Sequence, residues 1–188
     1  DADIIVNTTP VGMYPDTGKS AIRLAEFPQC SGVLDLIYNP AKTKLLLDAE
    51  RLGIRYANGL PMLVAQAKRA CEIFTGKTIP DNVVDSITMK IEAETKNIIL
   101  IGMPSCGKTS VGCLLAQKLG RRFLDIDEEI TVRNNRTPSE IIREDGENVF
   151  RSIEVTVTAD FAKESGAVIA TGGGVVLRAE NMDSLRQN

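Results

Sequence analysis

The sequence predicts an α/β fold made of two parallel-sheet units in series. Three observations carry this: short apolar runs that end in polar or glycine-bearing loops, helical apolar spacing after most of them, and a restart of the pattern beyond a polar stretch at 92–96. At about 150 residues per domain, 188 residues hold one domain or two small ones.

The run DIIVN at 3–7 closes on a polar residue and then on Thr8-Thr9-Pro10-Val11-Gly12, as a buried parallel strand feeding a loop does. A strand this early implies a sheet whose N-terminal part lies outside the chain. VLDLI at 33–37 is a second strand, stopped by Tyr38-Asn39-Pro40, and helical spacing follows from Thr43 to Leu52, up to Gly53. With a short strand at Ile54-Arg55-Tyr56-Ala57 this completes a βαβ unit. Gly59 opens a helix to about Gly76, with Leu60, Leu63, Val64, Ala67, Cys71 and Phe74 as its core-facing stripe. Met62 and Gln66, four apart, share another face. Pro80-Asp81 start a helix with Val84, Ile87 and Ile91 on one side, ended by EAETK at 92–96. That polar stretch divides the chain into domains at 1–94 and 95–188.

The pattern then restarts. NIILI at 97–101 reads as a buried strand, Gly102 to Thr109 as a glycine-bearing loop, and Val111, Leu114, Leu115 and Leu119 mark a helix closed by Gly120. FLDID at 123–127 is a second strand. Pro138 to about Glu144 and Glu147 to about Lys163 read as helices, and AVIAT at 167–171 is a third strand.

Composition narrows the chemistry. Lys+Arg 22 against Asp+Glu 25 gives a net charge of −3, which supplies no basic field for a nucleic-acid backbone. Histidine is absent, which removes Ser-His-Asp and Cys-His catalysis and every imidazole zinc site, so a metal would rest on oxygen ligands. Cys30, Cys71, Cys106 and Cys113 form no C-x-x-C pair, and no signal-peptide or membrane-spanning pattern is present, as expected of a soluble cytoplasmic protein with free thiols.

Gly102-Met-Pro-Ser-Cys-Gly107-Lys108-Thr109 fits G-x-x-x-x-G-K-[ST] between a predicted strand and a predicted helix. The glycines let backbone N–H groups close on phosphate oxygens at a helix N-terminus, Lys108 adds a point charge, and Thr109 offers a hydroxyl to Mg²⁺. Gly102, Ser105, Cys106, Gly107, Lys108, Thr109 and Ser110 are the candidate ATP-binding set. Asp125 and Asp127, two apart at a strand end, project to one side and can both face the phosphates, one toward Mg²⁺ and one toward an acceptor hydroxyl. Arg151 and Glu154 can pair at i, i+3, which would aim the guanidinium fork at a substrate carboxylate. Thr171-Gly172-Gly173-Gly174 permits close backbone approach and an anion-accepting nest. Taken singly, each has a plainer reading: a tight turn, a solvated acidic loop, a surface ion pair, a flexible glycine run.

In this order, the phosphate loop, D-x-D, G-E-x-x-F-R-x-x-E and T-G-G-G closely resemble shikimate kinase, from 97 to about 182. The resemblance implies that Lys108 and Thr109 serve ATP and Mg²⁺ and that Asp125 supports the metal. It likewise implies that Asp127 contacts the shikimate hydroxyls, that Arg151 holds its carboxylate, and that Gly172, Gly173 and Gly174 line the same pocket. It also implies strand order 2-3-1-4-5, with the lid, its arginine, two strands and the adenine-binding loop falling beyond Asn188. The strand before the phosphate loop is then expected to be an unpaired edge.

In the first half, A-D-I-I-V-N-T-T-P-V-G-M, D-L-I-Y-N-P-x-x-T and G-L-P-M-L-V-x-Q-A resemble the C-terminal part of shikimate dehydrogenase, a family that binds NADP in a Rossmann domain. By that likeness Thr9, Met13, Tyr38, Gly59 and Met62 approach the nicotinamide and Gln66 reaches shikimate, while the catalytic domain and pyrophosphate loop would precede Asp1. Together the two resemblances imply a segment of a bifunctional enzyme: part of a Rossmann domain, then part of a phosphate-loop kinase sheet. Two other readings stand beside it. One is a different phosphate-loop small-molecule kinase; the other is a non-catalytic ATP-binding module.

Overall fold

The computed structural model describes residues 2–188. They divide into two compact units, one reaching to Glu94 and including Gln187, the other Thr95–Arg186 with Asn188.

In the first unit, strands β1 (Ile4–Asn7), β2 (Gly32–Asp35) and β3 (Arg55–Ala57) lie in that order, all parallel. Helix α1 (Lys44–Arg51) makes the crossover from β2 to β3. Thr43 caps it by accepting the Leu46 N–H, and Leu45, Leu46 and Ala49 pack on Val33, Leu24 and Cys30. VLDLI stops being a strand at Asp35, two residues earlier than its apolar run suggests. The Asp35 carboxylate accepts the Ile37 N–H at 3.1 Å, turning the chain away from the ladder.

Helices α2 (Leu60–Thr75) and α3 (Asn82–Thr95) complete the unit. Only the start of the expected α2 stripe is core: Leu60 and Val64 are buried, whereas Ala67 and Cys71 are exposed and Phe74 is 88% exposed. The later turns face α3 instead of the sheet and share with Val84, Ile87 and Ile91 a shallow apolar groove of about 340 Å³. EAETK does not end α3 at its first residue; Glu92-Ala93-Glu94 are good helix formers and the helix runs on to Thr95.

The second unit contains β4 (Ile98–Leu100), α4 (Lys108–Leu119), β5 (Phe123–Asp125), α5 (Ile126–Asn134), α6 (Pro138–Asp145), α7 (Glu147–Ala162), β6 (Val168–Ala170) and α8 (Ala179–Leu185). The sheet is parallel in the order β4-β6-β5, so β4 is an edge among the described residues. β6 is buried throughout. β4 is only half-buried and Ile101 beyond it is 53% exposed, so NIILI is not the buried strand its composition suggests. The core lies under α5, α6 and α7, where Ile126, Ile130, Ile141, Phe150, Val157 and Phe161 pack on Ile169. On α4 the face turned inward is the small one, Gly112 and Ala116, because the Phe123 ring would lie 2.3 Å from a Cβ at Gly112. Val111, Leu114 and Leu119 point outward.

FLDID is not a five-residue strand either. β5 ends at Asp125, and α5, which the apolar spacing does not announce, begins at the next residue. Asp125 caps it by accepting the N–H groups of Asp127 and Glu128. α8 and the short 3₁₀ turn Val175–Leu177 also go beyond the sequence reading. Register places Leu100, Ala170 and Asp125 side by side, so the loops after β4, β6 and β5 leave one edge of the sheet together. In open α/β sheets this carboxyl edge is where ligands bind.

Candidate functional site

The loop between β4 and α4 turns back through two left-handed residues, Ser105 (φ 62°) and Gly107 (φ 89°). Gly107 is the N-cap of α4 and gives no side-chain cap, so Lys108, Thr109 and Ser110 form a first turn whose backbone N–H groups face the loop. The Lys108 ammonium folds over this loop, donating to the carbonyls of Gly102 and Met103 at 2.9 Å each and approaching Cys106 Sγ at 3.9 Å. Ser105, Cys106 and Ser110 are exposed at its rim.

Thr109 Oγ1 donates to Asp125 Oδ2 at 2.8 Å. Asp125 Oδ1 accepts from the Asp127 and Glu128 backbone at 3.0 and 3.3 Å, so one carboxylate both starts α5 and holds the first turn of α4. Asp127 lies in the first turn of α5, not at a strand end, yet it still joins the site. Burial pushes its carboxyl above the ordinary range, and the Asp125 and Glu154 charges push it further, against the opposing pull of Lys108 and Arg151.

Arg151 projects from α7 and is held on two edges. Nη1 donates to Glu154 at 3.0 and 3.2 Å, and Nε and Nη2 donate to Glu147 Oε1 at 3.3 and 3.1 Å. Glu154 has no exposed side-chain surface, so this pair is not the surface ion pair that its spacing alone could equally describe.

The glycine run after β6 binds these pieces together. The Thr171 hydroxyl donates to the Leu100 carbonyl at 3.0 Å, tying the run to β4. A Cβ at Gly172 would lie 2.9 Å from Asp127 Oδ1, one at Gly173 2.6 Å from Pro104 Cδ, and one at Gly174 2.4 Å from Arg151 Nη1. Three successive glycines thus touch the acidic residue, the phosphate loop and the guanidinium. Sequence reasoning includes Pro104 within the phosphate loop and Glu147 within G-E-x-x-F-R-x-x-E but gives neither a role of its own. The four-residue spacing of Glu147 and Arg151 on one helix was the available signal for the second.

In the first unit, Thr9, Met13 and Tyr38 line a cavity of about 400 Å³ with Pro10, Tyr14 and Ile37. A buried network supports it: Asn7 donates to Asp35 Oδ1 at 3.0 Å, the Thr43 hydroxyl donates to Asp35 Oδ2 at 2.6 Å, and Asn7 Oδ1 accepts the Thr9 hydroxyl at 2.7 Å. Gly59 lies behind the lining, its N–H donating to the Ile37 carbonyl at 3.1 Å. Met62 and Gln66 share an exposed face of α2, as their spacing requires, but do not line this cavity.

No group of three acidic or cysteine side chains among the described residues is placed to hold a metal ion. The Thr109–Asp125 pair still suits Mg²⁺, which takes one or two protein oxygens and completes its shell with phosphate and water. No helix among the described residues is long and apolar enough to cross a membrane.

Residues 104–188 match the family described as Shikimate kinase, and residues 59–85 match the Shikimate 5'-dehydrogenase C-terminal domain. The shikimate kinase of Symbiobacterium thermophilum is 47% identical over 91 residues, covering 48% of this chain and 52% of that protein. A solved shikimate kinase from Acinetobacter baumannii, in complex with shikimate, aligns at TM-score 0.49 with 40% identity, covering 52% of this chain and 55% of that one. Shikimate dehydrogenase 1 from Peptoclostridium difficile aligns at TM-score 0.45 with 38% identity, covering 48% of this chain and 33% of that one. The chain spans about half the length of the curated relatives it matches.

Proposed function

We propose that this chain, which joins a shikimate dehydrogenase-like segment to a shikimate kinase-like one, belongs to a cytoplasmic enzyme that phosphorylates the shikimate 3-hydroxyl with ATP. The observation that supports this most is the glycine run, which brings Asp127, Arg151 and the phosphate loop into contact with one stretch of backbone. Residues 95–188 are the kinase part. Arg151 takes the substrate carboxylate, and Asp127 accepts a hydrogen bond from a ring hydroxyl and orients it for in-line attack on the γ-phosphate. Lys108 leaves the Gly102 and Met103 carbonyls to meet the phosphate oxygens, where its charge offsets that of the transition state. Thr109 and Asp125 would hold Mg²⁺, which supplies charge neutralisation on the phosphates.

Residues 1–94 are the C-terminal part of an NADP-dependent dehydrogenase acting on the same ring system. The cavity lined by Thr9, Met13 and Tyr38 takes the nicotinamide end of NADP, with Gly59 behind it; Met62 and Gln66, on an exposed face of α2 outside the cavity lining, are assigned to the nicotinamide and to the substrate by the family likeness alone. Small-molecule substrates, and neither nucleic acid nor a membrane, are the partners that this assignment requires.

The test is coupled ADP release from ATP, Mg²⁺ and shikimate, in a polypeptide that carries these residues within a full-length kinase domain. Turnover that Lys108→Ala lowers by about a thousandfold is the expected result. A folded polypeptide that binds ATP but phosphorylates neither shikimate nor gluconate would instead favour a nucleotide-binding module. Transfer to gluconate in preference to shikimate would make it a different small-molecule kinase.

A further inference from the structure

The Arg151 guanidinium is hydrogen-bonded to Glu154 and Glu147 and lies against the Gly174 main chain and the Phe150 ring. Glu154, fully buried, takes Nη1 with both oxygens, and the Gly174 main chain lies so close that a Cβ there would be 2.4 Å from Nη1. The remaining edge, Nε with Nη2, is the one a carboxylate grips with two parallel bonds. Glu147 occupies it, but poorly: a single oxygen, Oε1, receives both bonds, at 3.3 and 3.1 Å. The Glu147 side chain is 66% exposed, against 17% for Arg151, so it can swing into water with little resistance.

We propose that Glu147 is an internal competitor for the carboxylate-binding edge of Arg151, a latch that an acidic substrate must displace. The inference rests on the reading that Arg151 receives the substrate carboxylate. With both oxygens in line, the incoming group makes two shorter bonds where Glu147 makes two long ones through one atom. Glu154 does not compete, because leaving Arg151 would strand a buried charge. The exchange conserves charge at the guanidinium: one carboxylate leaves as another arrives. Glu147 therefore keeps the fork extended toward the pocket between turnovers, and sets a threshold that a neutral ligand gains nothing by crossing.

Calorimetric titration tests this in a polypeptide carrying these residues within a full-length kinase domain, with shikimate and its methyl ester as probes. Glu147→Gln removes the competing charge. Glu147→Asp keeps the charge at the start of α7 but shortens the reach, and so guards against a purely structural effect of the first. Both variants are expected to bind shikimate about two- to fivefold more tightly than the parent, the worth of an exposed ion pair, with no gain for the ester. Equal or weaker binding of shikimate by both variants overturns the latch and leaves the kinase assignment standing. An equal gain for acid and ester also overturns it, since the competition would not be for the carboxylate. Failure of parent and variants alike to bind shikimate overturns the kinase assignment, and the latch with it.

Discussion

Gly172 lies against Asp127 so closely that a Cβ on the glycine would sit 2.9 Å from Oδ1, with Glu154 Oε1 only 3.0 Å away. This crowding leaves the Asp127 carboxyl short of water and beside two acids, which is why its pKa stands above the ordinary value. In the window above the usual 3.8 the folded chain holds more proton than the unfolded chain, so stability falls as pH rises through it. Asp127→Asn removes that penalty. The variant is expected to melt higher than the parent at neutral pH, with the gap closing as pH falls below the ordinary carboxylate range. Its phosphoryl transfer is expected to drop by about a hundredfold or more. In the parent, activity should decline with falling pH already above the usual carboxylate range. Thermal unfolding and rate profiles between acid and neutral pH check both. No gain in melting temperature at neutral pH would contradict the burial argument.

Gly174→Ala tests the guanidinium pocket by steric means alone. Its backbone angles, φ −96° and ψ −1°, suit alanine, so any effect comes from the methyl group meeting Arg151 Nη1. Arg151 can yield only by loosening its hold on Glu154, and such overpacking costs about 1–3 kcal/mol. The expected outcome is a KM for the acidic acceptor raised about tenfold with circular dichroism unchanged. An unaltered KM would show that the guanidinium moves aside freely.

The features that sequence made legible are those whose logic is local. The phosphate loop is a contiguous pattern, the Arg151–Glu154 pair is one helical turn, and Thr43, Gly59, Gly76 and Gly120 mark helix ends with their own chemistry. The features that misled depend on what lies across from a residue. Ala67 and Cys71 keep helical spacing, but the sheet they should cover does not extend under the later turns of α2. Asp127 alternates with Asp125 as strand residues do, yet the Asp125 carboxylate captures two backbone N–H groups and converts the chain to helix one residue later. The contact of Gly173 with Pro104 joins loops that are distant in sequence, and no spacing rule announces it.

Gly59→Ala addresses the cavity of the first unit. The alanine methyl would stand 2.0 Å from the Leu36 carbonyl oxygen and 2.6 Å from its carbon, both backbone atoms with no rotamer to change. Relief requires α2 to withdraw from the segment that carries Ile37 and Tyr38, which also breaks the bond from the Gly59 N–H to the Ile37 carbonyl. A destabilisation of about 3 kcal/mol is expected in denaturant unfolding. Nicotinamide nucleotide binding, measured in a polypeptide carrying a full-length dehydrogenase domain, should weaken with it. Wild-type stability would mean that the helix start is loosely seated.

Glu72 provides a test of how α2 is joined to the chain that leads into α3. Its carboxylate accepts the Ile79 N–H at 3.0 Å and lies 3.1 Å from Arg69 and 3.2 Å from Lys68. The backbone hydrogen bond first, then the two cations, hold its pKa down to about 2 from an ordinary 4.5. A depressed folded value means that the stabilisation is fully present above 4.5 and is lost as pH falls from there toward 2. Glu72→Gln keeps an oxygen for the Ile79 N–H but removes the charge. It is therefore expected to lower the melting temperature at neutral pH and to match the parent once the parent carboxylate has itself been protonated. Unfolding curves collected across that acid range decide the matter. A deficit of the same size at both ends would mean that the amide fails for reasons of shape, not charge, and that the ionic contacts of Arg69 and Lys68 do not secure this junction.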